Sequence, residues 1–172
     1  KDANALLLRC KQEGESALAA SKPGKERDRL VARFEGSLPI MRATAVIESQ
    51  DWNGPALQLD MPAIKDENVL AVDRFVTGFA AAQRGDLTLA RSVLATLHDQ
   101  VAAAKPDSEN PQALDYLHIL QDDLAGLVAA KSGDMDTAIA LVRGAASRLD
   151  TMAFDFGPPV MVKPPHELLG EL

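Results

Sequence analysis

The chain has 172 residues, of which 47% are hydrophobic, 25% charged and 4% aromatic, and it carries a net charge of −7. That length holds one sizeable domain, and the balance of apolar and charged residues excludes a disordered or membrane-embedded class in favour of a soluble globular one. The acidic balance also argues against a nucleic-acid partner, because neutralising phosphates with Lys and Arg supplies most of that affinity.

Alanine and leucine dominate while strand-forming residues are sparse, so helix is expected throughout. No stretch shows sustained period-two alternation, and no sheet is expected. Asp2–Ala20 predicts a first helix, "SKPGK" at 21–25 a loop, and Glu26–Glu35 a second helix with Leu30, Val31 and Phe34 on one face. Lys22–Arg29, the densest basic stretch, is interrupted by Glu26 and Asp28 and reads as a solvated turn entering that helix. Gly36 is expected to break it. Ser37 then caps a third helix over Pro39–Ser49, with proline in its first turn. Residues 1–36 thus read as N-terminal helices and 37–62 as a short, degenerate helix pair turning at Gln50-Asp51-Trp52. Further helices are expected near Val69–Arg84, Leu87–Ala104, Asn110–Ser132 (capped by Asn110 before Pro111) and Met135–Leu149. Phe154 and Phe156, followed by Gly157-Pro158-Pro159, suggest an anchored, stiffened strap. Pro164-Pro165 launch a last helix over 164–172.

The most informative feature is internal. "GFAAAQRGDLTLA" at 78–90 aligns without gaps to "GLVAAKSGDMDTA" at 126–138. Gly78 meets Gly126, Gly85 meets Gly133, Asp86 meets Asp134 and Ala90 meets Ala138. Glycine at the end of a helix takes the left-handed conformation that stops it. The aspartate after it caps the next helix by accepting backbone donors that lack partners. Small residues then let the antiparallel pair approach. The same helix–turn–helix is specified twice.

Those intervals resemble the tetratricopeptide repeat, which places a small residue in its first helix, glycine seven positions later and alanine five after that. Gly78, Gly85, Ala90 and Gly126, Gly133, Ala138 reproduce them over about residues 69–149. The copies here are 48 apart (126 − 78), against a family period of ~34, and Ala81 and Ala129 stand where the family has a tyrosine. Together with "FDFGPP" and "KPPHELLGEL" the pattern is similar to an uncharacterised bacterial tetratricopeptide-like group. The resemblance implies an all-α, right-handed superhelix of antiparallel helix pairs across residues 1–172, with 69–104 and 110–149 as the full repeats and 164–172 opening another.

It also implies non-enzymatic protein or peptide binding on a concave face lined by first helices. There Arg42, Arg74, Asp115 and His118 are the candidate contacts, with His166 at a helix N-terminus as a fifth. No catalytic motif, glycine-rich phosphate loop or cofactor motif occurs, and Cys10, the single cysteine, forms neither an internal disulfide nor a thiolate metal cage. Two alternatives belong to other classes. Asp115, His118 and Asp122 fall on one helix face, a spacing open to a metal-dependent hydrolytic or redox accessory role. The terminal helix offers a route to homo-oligomers. No apolar run is long enough to insert in a membrane. The chain starts at Lys1, and both a cytoplasmic and a processed periplasmic setting fit.

Overall fold

A computed structural model describes residues 2–108, 110–153 and 161–172. These residues form α1 (Asp2–Ala20), α2 (Lys25–Ser49), α3 (Glu67–Gln83), α4 (Leu87–Ala103), α5 (Ala113–Lys131), α6 (Met135–Thr151) and α7 (Pro165–Glu171), with a 3-10 turn at Pro55–Gln58 and no strand among them. The all-helical expectation holds. The chain divides into two compact units, Lys1–Asp73 and Arg74–Leu172, and α3 passes from one into the other. The Phe154–Val160 strap lies outside the described residues.

The first unit is built on α2. Gly36 does not break it: one helix of 25 residues runs from Lys25 to Ser49 with Pro39 inside. The stripe Leu38, Pro39, Arg42, Ala43, Val46 and Ile47 is buried, and it starts two residues after Gly36. Burying that continuous face outweighs the roughly 3 kcal/mol an interior proline costs. Ser37 is consequently helix interior rather than a cap. What ends the helix is Gln50, at a left-handed φ of 53°. The expected second helix of this region is reduced to the four-residue 3-10 turn at Pro55. α1 packs on α2, and a Cβ on Gly14 would collide with the Phe34 ring. Arg27 secures their connection, donating to the Leu18 carbonyl and to the backbone and hydroxyl oxygens of Ser21.

The second unit realises the duplicated turn twice over. Gly85 and Gly133 sit at φ 85° and 88°. Asp86 N–H donates to Ala81 O at 2.9 Å and Asp134 N–H to Ala129 O at 3.0 Å, while Gly85 and Gly133 donate to Ala82 and Ala130. These two bonds close the left-handed helix ending that absorbs otherwise unpaired carbonyls. The Asp86 and Asp134 carboxylates then accept from Leu89 N–H and Thr137 N–H, each at 3.1 Å. α5 starts at Ala113, later than Asn110-Pro111 suggests, because Ala113 N–H donates to the Asn110 carbonyl and closes a turn first.

Small residues set the approach of these helices. A Cβ on Gly78 would lie 2.8 Å from Leu124 of α5 and 3.0 Å from Val93 of α4. One on Gly126 would strike Val142 and come within 3.2 Å of the Ala138 carbonyl of α6. Ala90 and Ala138 are fully buried. Around them Phe75, Phe79, Leu97, Ile119, Leu124, Leu127, Val142 and Leu168 make the core. α5 packs on α4, α6 and α7, and α6 on α7. Pro164 caps α7 and Pro165 opens its first turn, as the double proline predicts.

Candidate functional site

α5 is largely enclosed, yet it keeps one half-open side. Leu114, Asp115, His118, Gln121, Asp122 and Ala125 are half-buried while the residues between them are mostly buried. At 100° per residue those six share one sector of the helix. Leu114 and Ala125 give the stripe apolar ends, and Asp115, His118, Gln121 and Asp122 give it hydrogen-bonding groups.

Its charges are already ordered by α6. Arg148 donates to Asp115 at 2.9 Å, a pair whose side chains remain 39% and 42% exposed. Asp122 lies further along the same side. Its carboxyl is held above the ordinary carboxylate range by burial, an effect that the nearby charges of Arg148 and His118 only partly offset. The stripe therefore presents a paired carboxylate, an imidazole, an amide and a half-buried carboxyl whose pKa burial raises. That set suits hydrogen bonding to a polypeptide backbone and side chains.

A second polar group lies away from the stripe. Asp123, one residue on, points to the buried side and is 0% exposed. Neither carboxylate oxygen has a hydrogen-bond partner among the described residues. Lys163, just ahead of α7, is 3% exposed; its ammonium donates to Glu167 at 2.5 Å and to Glu171 at 2.6 Å. Burial pulls the Lys163 pKa down, but those hydrogen bonds and their charges carry it above its ordinary value.

The five candidate contacts are dispersed. Asp115 and His118 share the α5 stripe. Arg74 of α3 donates to the Gln100 side chain of α4 at 2.6 Å. His166 pairs with Asp150 of α6 at 2.9 Å on the surface. Arg42, in the first unit, is buried and donates to Asp73 at 2.6 Å, which makes it a structural anchor of that unit. Asp122 joins Asp115 and His118 on the stripe, but Asp115 is taken by Arg148. Among the described residues no three His, Cys, Asp or Glu side chains are grouped as a metal site requires.

Sequence reasoning missed Asp123, Lys163 and Arg148. A signal existed for the first: position 123 is in phase with the apolar Ile119, Leu120 and Leu127, so a charged residue there stands in a buried row. For Lys163 the only signal was the i,i+4 spacing to Glu167, and Arg148 gave none, because its partner Asp115 is set by tertiary packing. The first unit adds one further feature, an apolar groove of about 350 Å³ between α1 and α2 lined by Leu6, Leu7, Ile40, Met41 and Ala45.

No family model, curated protein or solved structure matches this chain. Among the described residues no helix is long and apolar enough to cross a membrane.

Proposed function

We propose that Arg74–Leu172 is a tetratricopeptide-like stack of helical hairpins that binds a polypeptide segment non-covalently along the half-open stripe of α5. The observation that carries this reading is the duplicated hairpin turn, in which Gly85/Asp86 and Gly133/Asp134 repeat the same left-handed ending and the same cap. Hairpins that share one turn geometry stack in register, and a hairpin cannot bury its apolar face alone. The order of contacts fits such an array: α5 meets α4 before it and α6 and α7 after it. In a stack of this kind the first helix of each pair keeps one side open, and the extended surface so formed serves recognition rather than covalent chemistry.

The reading is tested by selecting peptides from a displayed random library on the immobilised protein. Stripe variants His118→Ala and Ala125→Arg are compared with Leu6→Ser, which alters the first unit only. Selected peptides are expected to lose at least tenfold in affinity to Ala125→Arg, several-fold to His118→Ala, and nothing to Leu6→Ser. Failure to enrich any peptide, or equal binding by all variants, refutes it.

A further inference from the structure

Asp123 poses a charge problem that the binding stripe does not use. A carboxylate with no exposure and no hydrogen-bond partner among the described residues loses much of its hydration when ionised, and far less when protonated. The surrounding charges give little relief. On its own helix, Asp122 adds a like charge, with His118 and Asp115 beyond it on the other side. From α6, Arg148 is committed to Asp115. From α3 and α4, Arg74 is held by Gln100 and Arg91 by Ser132, while His98 and Asp99 face solvent. From the C-terminal segment, Lys163 is the one buried cation near it, and its ammonium is clasped by Glu167 and Glu171. That clasp ties Lys163 to both turns of α7, so residues 163–171 are joined as one piece. The piece is seated by buried Pro165 and Leu168, with Met161 buried just before it, and by the His166–Asp150 pair.

We propose that Asp123 is a proton-operated latch for the C-terminal segment 161–172: protonated, it lets the segment close against α5, and ionised, it favours an opened arrangement in which water reaches the carboxylate. The electrostatics agree in direction. Burial first, and Asp122 second, push the Asp123 carboxyl up to about 8, with Lys163 opposing. In the opened arrangement it returns toward the ordinary aspartate value of about 3.9. Between those two values the closed arrangement holds one more proton than the opened one. Opening therefore grows with rising pH, by up to about tenfold per pH unit, and levels off above the upper value. Because Asp123 faces away from the α5 stripe, the latch stands or falls independently of polypeptide binding there.

The test is hydrogen exchange of the 161–172 amides by mass spectrometry from pH 5 to pH 8.5, corrected for the intrinsic pH dependence of exchange. The corrected opening population is expected to rise with pH in the native chain and to stay flat in Asp123→Asn. His166→Gln removes the nearby imidazole and is expected to leave the rise intact. A flat native profile, an unchanged rise in Asp123→Asn, or loss of the rise in His166→Gln overturns the proposal. Should Asp123→Asn fail to fold, carbon NMR of the Asp123 carboxyl in the native chain decides the matter. A midpoint near 8 supports the latch, and one below 5 overturns it.

Discussion

An arginine–aspartate pair that joins two helices occurs in each unit, Arg42–Asp73 in the first and Arg148–Asp115 in the second, and these differ in kind. In Lys1–Asp73, Arg42 and Asp73 meet at 2.6 Å with side chains only 6% and 18% exposed. In Arg74–Leu172, Arg148 and Asp115 meet at 2.9 Å in a setting more than twice as open. The first unit lacks a duplicated turn, and one long helix plus a buried ion pair organise it. The second is organised by a repeated backbone device, and its Arg148–Asp115 pair is left half-open, where it orders a stripe rather than holds the fold. A buried pair broken on one side leaves an uncompensated charge, whereas a surface pair loses only a screened attraction.

That contrast is broken most readily at the arginines. Arg42→Ala is expected to destabilise the protein by about 3–5 kcal/mol, and Arg148→Ala by less than about 1 kcal/mol, both read from chemical denaturation. Similar losses would erase the distinction. Glycines sharpen it next. Gly126→Ala drives a methyl group into Val142 and the Ala138 carbonyl, an overpacking cost of about 1–3 kcal/mol. Gly36→Ala meets open space within α2 and is expected to stabilise by about 0.5–1 kcal/mol. Thermal melts give the sign of each. Between these in size, Asp86→Ala and Asp134→Ala should each cost about 1 kcal/mol. Matching losses from the two caps are the result a true structural repeat requires, and a loss at only one of them would count against it.

The legibility of the sequence follows the same division. Around Gly85 and Gly133 three local signals agree: a small-residue helix end, glycine at the stop and aspartate at the next cap. Local chemistry decides those turns, and reading it sufficed. At Gly36 the same residue type misled, since Ser37-Leu38-Pro39 imitates a helix start while the buried face running on to Ile47 favours continuity. Nothing local reveals which of two plausible boundaries burial will overrule. In the candidate site, Asp115, His118 and Asp122 were legible as one helix face because helical spacing alone places them together. Arg148 on Asp115, and Lys163 near Asp123, depend on how α5, α6 and α7 pack. Asp123 lay between these cases, visible as a charge in an apolar phase but easily mistaken for half of a solvated Asp122-Asp123 pair.

The central claim is that the half-open side of α5 is a polypeptide-binding surface. Its most direct test is a titration of isotope-labelled protein with a library-selected peptide, followed through backbone amide chemical shifts. The account predicts that the largest changes fall at Leu114, Asp115, His118, Gln121, Asp122 and Ala125. Changes centred instead on Leu6, Leu7, Ile40 and Met41, in the groove of the first unit, would contradict it.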